Sequence, residues 1–280
     1  MFDRLARSWS LIKASAHVVS ENKSLLVFPV LSGIASLIVV ISFVLPVASD
    51  LIAEQQLERS EPTMYAWMLL FYLALYFISV FFNTALVSVA LLRLSGQPAG
   101  IGDGLSRAVS RLPAILGYAL IAASVGLLLR AIEERVGWIG RITAALIGVT
   151  WTVTTFLVVP CLAAREIGPL DAVKQSASLL RQTWGENIAG NAGIGLLFSL
   201  LYFVVFAATI GLLVNLPEGT SGAFVAVLGT GIVLLLGIVV VHMALQGVYA
   251  AALYCYATLG EAAPGFSSDA LGGAFRNRRA

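Results

Sequence analysis

Six long apolar runs alternate along the chain with shorter segments whose apolar residues recur at helical spacing. The runs lie near 25–48, 64–92, 112–130, 142–163, 189–214 and 223–257. A helix needs ~20 residues to cross a bilayer, and each run supplies about that many or more. Their cores contain no Asp, Glu, Lys or Arg. In lipid the backbone must satisfy its own polar groups, which leaves helices or a closed barrel. Continuous apolar runs exclude the alternation of a barrel strand. The predicted fold is all-α: a polytopic membrane protein with six transmembrane helices.

Three intervening segments are amphipathic at a period of 3.6. In the first, Leu5, Trp9, Ile12, Ala16 and Val19 share a face, with Arg4, Arg7, Lys13 and His17 elsewhere. In the second, Leu105, Ala108, Val109 and Leu112 lie opposite Arg107 and Arg111. In the third, Leu170, Val173, Ala177, Leu180 and Trp184 line up, leaving Lys174, Ser178, Arg181 and Gln182 outside. A basic amphipathic helix beside a span is expected to lie in the headgroup plane. Trp9 and Trp184 suit that boundary.

These segments begin alike. Asp3, Asp103, Asp171 and Asp269 are each followed two residues later by Leu or Val. The last three follow an apolar run and a turn containing Pro98, Pro169 or Pro264. The pattern predicts one membrane domain over 1–280, made of three parallel two-helix repeats near 1–100, 101–168 and 169–266, with a tail at 267–280. Each repeat starts with a cytoplasmic interfacial helix, and the repeats share one orientation, as in parallel-repeat membrane proteins. A carboxylate at a helix start accepts backbone N–H bonds and meets the positive end of the dipole. Asp3, Asp103 and Asp269 are expected as N-caps, and Asp171 within a first turn opened by Gly168-Pro169. Asp269 would open a fourth surface helix.

Composition agrees with the pattern. Hydrophobic residues form 59% of the chain, charged residues 11%, and mean hydropathy is +0.93, too little charge to cover a soluble domain of this size. A net charge of +2 gives no reason to expect nucleic-acid binding. With the N-terminus inside, thirteen basic residues fall on inner segments and four (Arg59, Arg130, Arg135, Arg141) on outer loops. The positive-inside rule then places both termini in the cytoplasm. Cys161 and Cys255 read as buried thiols rather than a disulfide. The polar N-terminal stretch exceeds a signal peptide's basic region, so the first span is expected to be retained. The sixth run, of thirty-five residues, must tilt, bend near Gly237 or Gly247, or project into the cytoplasm, with Tyr249, Tyr254 and Tyr256 marking the inner interface.

Few residues suggest chemistry. The two histidines, His17 and His242, sit in no cluster with metal-ligand spacing, and no metal or cofactor is expected. Gly190-Asn191-Ala192-Gly193-Ile194-Gly195 opens an apolar span without a preceding strand, so close helix packing explains it better than phosphate binding. The small-residue pairs Ala119/Ala123, Ala122/Gly126 and Ala207/Gly211 predict tight helix contacts. Pro169-x-Asp171-x-x-Lys174 fits the mitochondrial-carrier signature, but the segments after Pro98 and Pro264 lack it and it follows an even-numbered span. Asn83, Thr154 and Tyr249 each lie fifteen residues before one of the three prolines, and His242 and Gln246 occupy one face of the sixth span. These five are either a polar site near the inner leaflet or interhelical hydrogen bonds, the latter being commoner. The candidate membrane-surface residues are Arg4, Arg7, Lys13, Arg107, Arg111, Lys174 and Arg181.

The stretches Phe28-Pro29-Val30-Leu31-Ser32-Gly33, Ala163-Ala164-Arg165-Glu166 leading to Gly168-Pro169-Leu170-Asp171-Ala172, and Gly247-Val248-Tyr249 through Leu253-Tyr254 resemble a family of prokaryotic six-span proteins known as a domain of unknown function. The resemblance covers essentially the whole chain. It implies a multi-pass plasma-membrane protein and carries no assigned activity. A fainter likeness, in helix order alone, is to the membrane domain of some bacterial glycerophosphodiester phosphodiesterases, whose catalytic domain has no counterpart here. The functional expectation is a non-enzymatic protein that organises lipid or partner proteins, or further copies of itself, at the inner face. The alternative is a transporter or channel for a small or lipid-like solute.

Overall fold

The computed structural model describes residues 2–52, 61–182, 187–217, 220–260 and 262–266. The regular elements among them are all helical: α1 (Phe2–Glu21), a 3-10 turn (Lys23–Leu26), α2 (Val27–Ile52), α3 (Glu61–Leu94), α4 (Ile101–Ser110), α5 (Leu112–Thr154), α6 (Val158–Ala164), α7 (Pro169–Gln182), α8 (Asn187–Val214) and α9 (Ser221–Leu259). Six stretches are long and apolar enough to cross a membrane: Lys23–Pro46, Thr63–Leu94, Leu112–Glu133, Gly140–Ala164, Ile194–Val214 and Ser221–Leu259. They match the six runs read from the sequence to within a few residues at most ends. The described residues form two compact units, one of residues 27–182 and one of residues 1–26 with 183–280.

In the first unit, α2 and α3 form an antiparallel pair, with the Phe43 ring 4.7 Å from that of Trp67 and 5.4 Å from that of Phe71. The core lies along α3, where Ala85, Leu86, Val87, Val89 and Ala90 are fully or almost fully buried. Two polar residues in this stretch are satisfied locally. The Thr84 and Ser88 hydroxyls donate to the Val80 and Thr84 carbonyls, both at 2.7 Å. Gly96, at φ +75°, lets α3 end with the Gln97 N–H returning to the Leu92 carbonyl at 2.9 Å. Arg93 closes the same turn by donating Nε and Nη2 to the Ala99 carbonyl at 3.1 and 2.7 Å.

Helical backbone runs unbroken from Leu112 to Thr154, a stretch that would be ~65 Å long if straight. It is not straight. Leu129 lies against Gly148, and Arg111 reaches Glu166. Partners further apart in sequence thus pair around a common midpoint, so the chain reverses between Leu129 and Gly148. The outer loop expected between the third and fourth spans is therefore a helical reversal. A span-length helix on each side of it forms the predicted hairpin.

The second unit contains α1, the 3-10 turn, α8 and α9. α8 and α9 run antiparallel, with Phe198 against His242 and Thr209 against Gly231. α1 packs on both through Leu11, Ser15, Val18 and Val19. α9 continues as one helix for 39 residues to Gly260, whose φ of +74° ends it. Its latter part, from Ala244 to Tyr254, is largely buried. This corrects one expectation: Tyr249 and Tyr254 lie inside the protein, because the end of the sixth span is enclosed, and they do not mark an interface.

The helix starts correct another. Asp103 is not an N-cap. Gly100 takes that place, and Asp103 sits three residues on, its Oδ2 accepting the Gly100 N–H at 2.7 Å. Asp171 stands in the first turn behind Gly168, as expected. Asp3 lies in the first turn of α1, and Asp269 falls outside the described residues.

Candidate functional site

The five polar span residues are distributed over both units. Asn83 lies on α3 and Thr154 ends α5 in one, and His242, Gln246 and Tyr249 share α9 in the other. Asn83, Gln246 and His242 are half-buried, and Tyr249 is wholly buried. The His242 ring is held on two sides. It stacks on Phe198 with centroids 4.3 Å apart and planes 7° from parallel, and its Nδ1 is 3.0 Å from the Tyr202 hydroxyl. Phe198 and Tyr202 were not among the sequence candidates. Their separation of four residues, one helical turn on a lipid-exposed span, is the signal that points to them.

Around Thr154 the site is made by backbone. Pro160, in the first turn of α6, has no N–H to give the Phe156 carbonyl, and its ring crowds that carbonyl. The helix accordingly breaks over Thr155–Leu157. The Val158 N–H goes to the Thr155 carbonyl at 3.0 Å, three residues back instead of four. One side chain from another helix bridges the gap. The Ser176 hydroxyl of α7 donates to the Thr154 carbonyl at 2.6 Å and accepts the Leu157 N–H at 3.1 Å. Ser176 is completely buried. Irregular backbone at membrane depth is tolerated where protein encloses it, and Leu157, Val158, Pro160 and Cys161 are all buried here. Thr154 thus contributes its carbonyl, and Ser176, which the sequence reading passed over, is the side chain that matters.

The faces that the short helices bury in protein are not the apolar stripes, which are expected to lie in the headgroup plane. α1 buries Leu11, Ser15, Val18 and Val19, α4 buries Gly104 and Ala108, and α7 buries Ala172, Ser176 and Leu180. That face is turned from the apolar stripe by roughly 95° in α1 and roughly 80° in α7, at 3.6 residues per turn. In α4 the reason is close approach. A β-carbon on Gly104 would lie 2.6 Å from the Ala85 carbonyl oxygen, so α4 rests on the backbone of α3. A β-carbon on Gly117, facing the start of α7, would lie 2.8 Å from the Pro169 ring. Among the described glycines, close helix contact falls at Gly104, Gly117 and Gly231, and of the predicted small-residue pairs Ala119/Ala123 is buried. At Gly126 and Gly211, from the predicted small-residue pairs, a β-carbon would meet nothing within 4 Å.

The packed face is small in α4 (Gly104, Ala108) and mostly small in α7 (Ala172, Ser176), while α1 packs through Leu11, Val18 and Val19; large apolar residues remain exposed on all three. Trp9 is 50% exposed, Val109 53% and Leu170 60%. Lys13, Lys174 and Arg181 are exposed on the same sides of α1 and α7 as Trp9 and Leu170, and Arg107 is exposed on the side of α4 away from Val109. Lys13 Nζ lies 5.6 Å from the centre of the Trp9 ring, and Lys174 Nζ is 3.8 Å from Asp171 Oδ1. Arg4 and Arg7 belong to α1 by backbone, but their side chains fall outside the described residues, as does that of Trp184. Arg111 differs from the surface set: its side chain is 17% exposed, and Nη1 pairs with Glu166 Oε1 at 2.8 Å. The carrier-like Pro169-x-Asp171-x-x-Lys174 opens a short helix, where a local ion pair accounts for it.

Six apolar helical stretches and a span broken only within protein define the fold of a multi-pass helical membrane protein. The chain belongs to a family of unknown function, DUF6159, which matches it over residues 63–266, from the start of the second span to beyond α9. No curated protein and no solved structure matches the chain.

Proposed function

We propose that this is a non-enzymatic protein of the prokaryotic plasma membrane, with both termini in the cytoplasm, that organises lipid or partner proteins at the inner face through α1, α4 and α7. The observation that carries the reading is the exposure of Trp9 beside Lys13 and of Leu170 on the same side as Lys174 and Arg181, with Val109 and Arg107 both exposed on α4. An apolar flank adjoining basic residues suits the headgroup plane, where each Lys or Arg near an anionic surface contributes about 1 kcal/mol.

Register supports a common role for the three helices. Leu5, Leu105 and Val173 each lie two residues after the recurring Asp, and Trp9, Val109 and Ala177 six residues after it. Arg7 and Arg107 share the fourth position, and Lys13 and Arg181 the tenth. Each basic position is shared by two of the three helices, with Gln175 and Pro113 at the third, and an apolar residue recurs at the second and sixth positions in all three.

The test replaces Arg4, Arg7, Lys174 and Arg181 with Gln. The spans should still insert, while anionic lipid retained on gently extracted protein, counted by native mass spectrometry, should fall. Retention of anionic lipid and of every co-purifying protein at the original level would overturn the reading.

The second reading, a carrier of a lipid-like solute, draws on a groove of about 340 Å³ between α8 and α9. Val204, Ala208, Leu212, Val227 and Leu234 line it, with Thr209 and Thr230 as polar members. An apolar trough of this kind suits an acyl chain better than a hydrophilic solute.

A further inference from the structure

We propose that the fourth span is hinged at Thr155–Leu157 and that the Ser176 hydroxyl of α7 is the latch that holds the hinge straight. The inference stands apart from the membrane-surface reading. Two backbone groups that a continuous helix would use, the Thr154 carbonyl and the Leu157 N–H, both bond to one hydroxyl from a different helix. The two sides of the break are held unequally. α6 packs on α3 and α7 and is buried at Val158, Pro160, Cys161, Leu162 and Ala163. The arm beyond the break meets the third span at Gly148 and Leu129 but is otherwise largely exposed from Ala145 to Thr152, with Leu146 at 65% and Val149 at 63%. α6 is therefore the anchor and the exposed segment the arm. Opening the latch leaves two polar groups unsatisfied in a buried site, which keeps the bent form rare while Ser176 is in place.

The test uses the full chain in lipid nanodiscs, with Cys161 and Cys255 replaced by Ala and spin labels on Thr150→Cys and Ser178→Cys, one on the arm and one on α7. Both positions are exposed. With Ser176 present, the interspin distance distribution should show one separation. Ser176→Ala should add a second separation, with the bent population rising roughly tenfold or more. Pro160→Ala restores an N–H facing the Phe156 carbonyl and lets the span run through, so Pro160→Ala/Ser176→Ala should return to one separation. An unchanged distribution in Ser176→Ala, or a second separation that persists in the double variant, would overturn the proposal. If Ser176→Ala alone fails to accumulate, the double variant should recover the parent's yield, and failure to recover would equally overturn it.

Discussion

Gly104 approaches the Ala85 carbonyl so closely that a β-carbon on it would sit 2.6 Å from the oxygen, and 2.8 Å from both Phe28 Cζ and Val89 Cγ2. Backbone cannot yield as a flexible side chain can. Gly104→Ala should therefore destabilise the protein by about 1–3 kcal/mol, the usual cost of overpacking. Gly126→Ala, with open space around it, should be neutral or stabilise by up to about 1 kcal/mol through helix propensity. Thermal unfolding in detergent distinguishes the two. Equal effects would mean that α4 is not seated on α3 as described.

The Phe198–His242–Tyr202 cluster makes a graded prediction. Tyr202→Phe removes one hydrogen bond between membrane helices and should cost about 0.6 kcal/mol. His242→Ala also removes the stacked ring and should cost about 0.5–1.5 kcal/mol more. His242→Phe keeps the stack and should fall between them. Denaturant unfolding of the three variants gives the order. A larger loss for Tyr202→Phe than for His242→Ala would show that the hydroxyl, rather than the ring, holds α8 to α9.

Arg111 and Glu166 form an unequal pair, since the arginine side chain is 17% exposed and the glutamate side chain 83%. Glu166→Gln removes a solvated partner and should cost no more than about 1 kcal/mol, with little change in 0.5 M salt. Arg111→Ala also strips a packed aliphatic stem at the α4–α5 junction and should cost more. Unfolding of both variants at low and high salt tests the asymmetry. A cost for Glu166→Gln equal to that of Arg111→Ala would contradict it.

The spans were legible because lipid imposes length and apolarity on each one separately. No tertiary contact is needed to recognise residues 64–92 as a span, and α3 covers them. Faces of short helices are another matter. Leu170 belongs to the most apolar stripe of α7, but apolarity does not distinguish a neighbouring helix from lipid. Size decides: Ala172 and Ser176 admit another backbone and Leu170 does not. The same rule hid the site around Thr154. Its position fifteen residues before Pro169 drew attention to its side chain, whereas the break there is caused by Pro160, six residues on. A serine buried between Ala172 and Leu180, at spacings of four, is the trace of Ser176 that a sequence can show. His242 was visible as a polar residue in a span, but its partners lie forty and forty-four residues away on α8.

The proposed membrane-surface role of the short helices is tested most directly by label depth on α7. Leu170→Cys and Ser178→Cys, each spin-labelled in liposomes containing anionic lipid, sample two exposed positions on different flanks of one helix. The relaxation of each label by oxygen and by a water-soluble paramagnet reports its depth. The label at 170 should sit below the headgroups, favouring oxygen, and the label at 178 should sit in water. Equal and full access of both labels to the water-soluble paramagnet would contradict the account, because α7 would then stand clear of the membrane.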